Sequence, residues 1–391
     1  PGMNPNKRKG SPLSKMASAA DDTKVPKTHK ACVYDKVGSC SIAIRDVETP
    51  EPGPGEVLVQ LTHSGVCHSD YGIMMNTTAY TSLCACQWAH MPAPTAEGQV
   101  GGHEGVGFVA KLGDGAERSG VKVGDRVGIK WVSAACLACP PCLEGMEGLC
   151  FNQKISGYFT PGTFQQYAIG PANYVTPVPE SLPGELAAPM LCAGVTTYAA
   201  LKKSGASSGQ WVVISGAGGG LGTVAVSLGA KAMGYRVIGI DAPSKKDVIL
   251  DSGAEHFIDV TAHDDDSIAE EVKNLTGHGA KAVIMCTQSN RAYGQALGML
   301  GFAGTVVCVG MPEGDPVPIA RSYPAAIVTK QSSIVGSAVG NRREAAEVMD
   351  FATRGLVKFP VKTVGMGDLQ SVFESMGKGE IRGRVVLDLS R

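Results

Sequence analysis

A chain of 391 residues is too long for one comfortable hydrophobic core, and the usual size of domains divides it into about two. Its 35 basic and 36 acidic residues leave a net charge of −1, so no global field draws nucleic acid or an anionic membrane, and the expected partner is a small molecule. Twelve cysteines without a secretory signal point to a reducing compartment, where clustered thiols hold metal more often than they form disulfides.

Residues 1–29 are polar, carry no acid before Asp21 and lack an apolar stretch, so they read as an extension that is disordered in isolation, with Met16 resembling a natural start. The extension is Lys-rich with one arginine and no amphipathic period. That argues against a mitochondrial presequence and for a cytoplasmic protein.

From about Lys30 to Pro179 come short β-type runs such as GEVLVQLTHSGV, VGFVAKLG and GDRVGIKW, separated by turn residues. They predict an irregular β-domain or partial barrel. After Pro189 the texture changes: WVVIS, YRVIGID, EHFIDV, KAVIMCT and TVVCVG recur at helix-sized intervals, which predicts a parallel sheet wrapped on both faces. SIVGSAV, 333–339, is expected to add the last strand. RREAAEVMDFATRG reads as a helix, and GRVVLDL as a strand closer in texture to the first half. The uncharged run from Ser204 to Ala230 is long enough to span a bilayer, but eight glycines break it into strand, loop and helix.

That run contains SGAGGGLG between a strand and a helix, an arrangement that sets backbone amides and a helix N-terminus around a pyrophosphate. Its glycines follow Gly216-x-x-Gly219-Gly220-x-Gly222, one residue longer than the familiar fingerprint. Asp241 closes the next strand nineteen residues after Gly222, where a carboxylate accepts hydrogen bonds from ribose hydroxyls and repels a 2′-phosphate. NAD is therefore expected over NADP.

Cys136, Cys139, Cys142 and Cys150 have two, two and seven residues between them. Four thiolates so close can close a tetrahedron around zinc with no open position, a clamp for a loop. Pro140 and Pro141 stiffen the turn between ligands. Free thiols are the plainer alternative, but four at this spacing favour a metal.

A second, open metal site cannot be found from local spacing. GVCHSD at 65–70, GGHEGVG at 101–107, GIKW at 128–131, the four-cysteine loop, FQQYA at 164–168, PMLCAGVTTY at 189–198, the glycine loop, VGMP at 309–312, VGNR at 339–342 and GRVVLDL together resemble the zinc-dependent medium-chain alcohol dehydrogenases of yeast and fungal type, from about residue 30 onward.

The resemblance implies an α/β protein with a GroES-like irregular β catalytic domain over 30–188 and 335–391 and a doubly wound Rossmann NAD-binding domain over 189–334. It implies two zinc ions per chain, the catalytic one on Cys67, His103 and Cys192 with Glu104 beside it. Alone, Cys192 would read as packing and His103 as a core histidine; their motif context decides otherwise. The further roles it implies are Ser69 as the hydroxyl that starts the proton relay, His68 near the pyrophosphate, and Gly216, Gly219, Gly220, Leu221, Gly222 and Val309 on the dinucleotide. Asp241 and Lys245 would meet the adenosine ribose, Arg384 the phosphates, and Trp131 and Met311 the substrate pocket.

The implied activity is reversible oxidation of a short primary alcohol to its aldehyde with NAD, in a homotetramer. An NADPH-dependent aldehyde reductase of the same superfamily is opposed by Asp241; a zinc- and NAD-binding protein without turnover is the alternative from another class. Two departures from the yeast type stand out. Gly72 replaces the histidine that ends the relay, and 71–100 carries about a dozen extra residues. That insertion leaves Trp88 undecided as a pocket residue, and makes Cys84 and Cys86 more readily free thiols than ligands.

Overall fold

The computed structural model describes residues 25–77, 94–312 and 317–391. Residues 1–24, with most of the expected N-terminal extension, and Cys84, Cys86 and Trp88 lie outside them.

Among the described residues most strands gather into two large sheets, beside two separate two-stranded pairs. The first is built around the long strand Glu56–Val66, where the consecutive Val57, Leu58 and Val59 are buried on both faces, as befits a central strand. Gly105–Leu112, Tyr167–Pro171 and Arg384–Asp388 all pair with it antiparallel. The strand expected from GRVVLDL thus belongs to the sheet of the first half, and Val361–Gly365 flanks it in parallel. Close approach of backbones requires glycine at Gly107, where a Cβ would stand 1.9 Å from the Gln60 carbonyl oxygen.

The second sheet is wholly parallel and runs in the order His256–Asp259, Arg236–Asp241, Trp211–Ser215, Ala280–Met285, Leu300–Cys308, Ser333–Gly336. Numbered along the chain, that is the 3-2-1-4-5-6 order of a dinucleotide fold, with its crevice beside the first strand. Val212, Val213, Ile214, Val283 and Ile284 are fully buried, as strands covered on both faces must be.

The last strand is shorter than expected. It ends at Gly336, and Ser337, Ala338 and Val339 leave the sheet; Val339 takes φ 44°, a left-handed conformation incompatible with a strand. The helix Gly184–Pro189, a π-helical turn at Met190–Gly194 and the helix Val195–Lys203 run between the sheets and share a core with both, through Leu191, Val195 and Leu201. No helix among the described residues is long and apolar enough to cross a membrane.

Candidate active site

The site begins where the strand Glu56–Val66 gives way to the helix His68–Met75, with Cys67 as the residue before its first turn. The Cys67 amide donates to Asp70 Oδ2 at 3.0 Å, which bends the chain so that the thiol faces inward. Asp70 Oδ1 lies 2.7 Å from His103 Nδ1, and both side chains are fully buried. A carboxylate can only accept, so Nδ1 carries the proton and Nε2 is turned into the site. Nε2 has no hydrogen-bond partner.

Cys192 arrives on the π-helical turn, a widened turn of the kind frequent at functional sites. The ligand atoms of Cys67, His103, Glu104 and Cys192 all lie within 4.8 Å of one another. Room for Glu104 exists because Gly65 lacks a side chain: a Cβ there would lie 1.8 Å from Glu104 Oε2.

The electrostatics of this cluster favour a cation. A hydrogen bond from Cys192 holds the Cys67 thiol well below its ordinary range against the opposing effect of burial, and the same bond pushes Cys192 well above. Burial lifts Glu104 to about 7, although the Arg384 guanidinium pulls the other way. For His103 burial opposes the charge, but Asp70 and the Cys67 sulfur outweigh it and raise its pKa well above the usual value. Two sulfurs, an orphaned imidazole nitrogen and a nearby carboxylate make a donor set that fits zinc, with a position left open.

Arg384 is buried, pairs with Glu104 Oε1, and stands so close to the glycine loop that a Cβ on Gly220 would meet its Nη1 at 3.1 Å. One guanidinium therefore touches both the metal-ligand cluster and the loop expected to hold phosphates.

In that loop Gly216 adopts φ 78°, and a Cβ on Gly222 would lie 2.1 Å from the Gly216 carbonyl oxygen, so the turn closes only with glycine. Asp241 accepts from the Gly218 amide at 2.9 Å and the Ala242 amide at 2.8 Å, with Lys245 Nζ 3.6 Å away. Gly218 was not singled out in the sequence, yet a side chain there would collide with Lys245.

The second cysteine cluster also closes. Cys136, Cys139, Cys142 and Cys150 bring their sulfurs within 4.8 Å of one another. The amides of Cys136 and Asn152 donate to Cys150 Sγ at 3.3 Å, and that of Cys139 to Cys136 Sγ at 3.4 Å. Amides of Ala138 and Cys139 bring the Cys136 thiol down to about 6. Those bonds stabilise the Cys136 thiolate that metal requires, whereas burial pushes the Cys142 thiol up to about 12.

Between the sheets lies a cleft of about 830 Å³. Of the expected residues, Cys67, Ser69, Trp131, Cys192, Leu221, Val309 and Met311 line it. Ser69 Oγ lies 3.9 Å from Cys67 Sγ, and Trp131 meets the His103 ring edge-on at 4.8 Å. His103 and Glu104 stand behind this surface, Asp241 and Lys245 beyond it, and His68 is stacked on Tyr71.

Sequence reasoning missed Asp70, although it stands inside GVCHSD. It also missed Thr196 and Ser337, cleft residues whose buried hydroxyls have no hydrogen-bond partner. Thr196 sits in PMLCAGVTTY, but nothing local marks Ser337.

Comparison with known proteins agrees with this geometry. An alcohol dehydrogenase GroES-like domain matches residues 53–180, and a zinc-binding dehydrogenase domain matches 220–354. Alcohol dehydrogenase 2 of Emericella nidulans is 56% identical over 372 residues, covering 94% of this chain and 99% of the relative. Alcohol dehydrogenase 1 of Neurospora crassa is 39% identical over 372 residues, with shares of 94% and 99%. Among solved structures, an acetophenone reductase of Geotrichum candidum in complex with NAD superposes with a TM-score of 0.77 at 30% identity, covering 94% of this chain and 98% of that one. The chain belongs to the zinc-dependent medium-chain alcohol dehydrogenases of fungal type.

Proposed function

We propose that the protein interconverts a short primary alcohol and its aldehyde in the cleft, with NAD as the hydride carrier. The observation that carries the reading is the orphaned His103 Nε2, converging with the Cys67 and Cys192 sulfurs at the cleft floor. Held there, zinc would act as a Lewis acid that acidifies the alcohol hydroxyl, while NAD accepts the hydride.

The chain's own residues do the rest. Ser69 presents its hydroxyl beside Cys67, where it would accept the proton released by the alcohol while passing its own on to a ribose hydroxyl and water. Asp70 fixes the His103 tautomer, and Trp131 walls the cleft and keeps water from the ring. Asp241 and Lys245 would hold the ribose end of the cofactor, His68 and the Gly216–Gly222 loop its phosphates, and Arg384, paired with Glu104, balances the charge between loop and cluster. Cys136, Cys139, Cys142 and Cys150 would hold a second zinc, which would fasten their loop.

The division into a catalytic unit of 30–188 and 335–391 and a nucleotide unit of 189–334, a homotetramer, and a cytoplasmic location belong to the same proposal. The test is the initial rate of NADH formation from NAD and ethanol beside an NADP control. An NAD-dependent rate that is lost on zinc chelation is expected. A folded protein that binds NADH but oxidises no alcohol would favour a binder without turnover, and preference for NADPH with aldehyde would favour a reductase.

A further inference from the structure

The four-cysteine loop is not remote from the cleft. Gly145, Met146, Glu147, Gly148 and Leu149, all between its last two cysteines, line the same cavity as the turn Ser337–Asn341. Loop and turn are fastened to each other by two groups of hydrogen bonds. Asn341 uses its side-chain oxygen to cap its own helix, accepting the Glu344 amide at 2.9 Å, and its Nδ2 to donate to the Gly145 carbonyl at 2.9 Å. Glu147, only 5% exposed, accepts from the Arg342 amide at 2.8 Å and from Arg342 Nε at 3.0 Å. The Tyr174 hydroxyl adds a longer bond to it at 3.4 Å.

What the fastening holds is strained. Val339 is β-branched and takes φ 44°, a conformation such residues avoid and one that persists only where the surroundings over-determine it. Backbone on both sides of it approaches closely. A Cβ on Gly148 would lie 2.8 Å from Val339 Cγ2, and a Cβ on Gly340 would lie 2.6 Å from Val195 Cγ2. Val339 itself lines the cleft.

We propose that Glu147 is a positioning residue for the alcohol: by holding Arg342 it locks the turn Ser337–Asn341 against the four-cysteine loop and so sets where the Val339 side chain stands in the cleft wall. A loop that the spacing of its cysteines marks as a clamp then also shapes the pocket. This rests on the reading of the cleft as the alcohol site.

The experiment is a double-mutant cycle on the full chain, with ethanol as the probe at saturating NAD. Glu147→Gln keeps the size of the side chain and removes the charge that binds Arg342. It should raise KM for ethanol about fivefold, a coupling at the low end for contacting residues, with kcat and NADH affinity unchanged. On a Val339→Gly background, where glycine accepts the left-handed conformation without strain, the same substitution should change KM by less than about twofold. An equal factor on both backgrounds, or no change on either, overturns the proposal. If Glu147→Gln does not fold, Arg342→Gln, which leaves the backbone bond to Glu147 in place, carries the same comparison.

Amide hydrogen exchange supplies a readout independent of turnover. In Glu147→Gln, exchange should quicken together in 143–149 and 337–343, whereas quickening in the loop alone overturns the latch. A wild type inactive on ethanol, with the joint quickening still seen in Glu147→Gln, would sink the substrate reading and leave the latch standing.

Discussion

Asp70 serves Cys67 and His103 at once: Oδ2 accepts from the Cys67 amide at 3.0 Å and Oδ1 from His103 Nδ1 at 2.7 Å. Both oxygens act as acceptors, and an amide side chain has only one. In Asp70→Asn one of the two partners must therefore face an NH2 group. Zinc affinity at the open site should fall roughly 10–100-fold, with turnover falling in parallel at limiting zinc. Competition against a chromophoric chelator measures this, and an unchanged affinity would show that Asp70 does not hold the imidazole.

Cys150 is completely buried and accepts two backbone amides, so its loss should release the whole loop. Cys150→Ser should leave about one zinc per chain and cost roughly 3 kcal/mol or more of stability. Zinc analysis and thermal unfolding read it directly. A two-zinc variant with an unshifted melting temperature would mean that the four thiols are not a metal site.

Lys130 gives the protein a pH dependence with a definite sign. Its ammonium is buried, donates to the Tyr174 carbonyl at 3.0 Å, and burial lowers its pKa from 10.5 to about 7. Between those values the unfolded chain holds a proton that the folded chain does not, so this residue's contribution to stability rises with pH, by about 1.4 kcal/mol per unit. Below the lower value the buried charge is a fixed cost. Relative to Lys130→Met, the wild type should thus gain stability as pH climbs from 7 toward 10. Denaturant titrations at several pH values test the slope; a difference flat in pH would place the folded pKa near the ordinary one.

The Asp241 carboxylate is bonded to the Gly218 and Ala242 amides, which aims it from the strand end toward the loop. Asp241→Ser removes both the ribose acceptor and the repulsion of a 2′-phosphate. The ratio of kcat/KM for NAD over NADP should drop by about tenfold or more, the worth of one charge-assisted hydrogen bond. Steady-state kinetics with both cofactors decides, and an unaltered ratio would assign the discrimination elsewhere.

What could be read in advance was whatever is local in sequence. The four cysteines lie within one loop, the glycine loop is continuous, and Asp241 follows at a fixed interval, so spacing alone pointed to their chemistry. Cys67, His103 and Cys192 required a resemblance, because the fold gathers them from three separate elements. Asp70 stayed hidden because its role depends on a helix start that turns one oxygen back to Cys67 and the other across to a residue 33 positions away. Thr196 and Ser337 matter as unpartnered hydroxyls, a property that exists only once burial is known. The last parallel strand was drawn three residues too long because Ile334, Val335 and Val339 read as one β-type run, and nothing in the letters reveals that Val339 takes a left-handed conformation.

The strand Arg384–Asp388 lies between Val361–Gly365 and Glu56–Val66, in the body of the first sheet. A ribosome makes Glu56–Val66 early and its partner Arg384–Asp388 very late, with the entire nucleotide sheet emerging in between. During synthesis the parallel sheet can therefore mature first, while the His63–Val66 end of the upstream strand waits unpaired on one side and open to wrong partners. Arg384, the counter-ion of Glu104, arrives with that late strand. The reacting centre is thus among the last parts of this protein to be assembled.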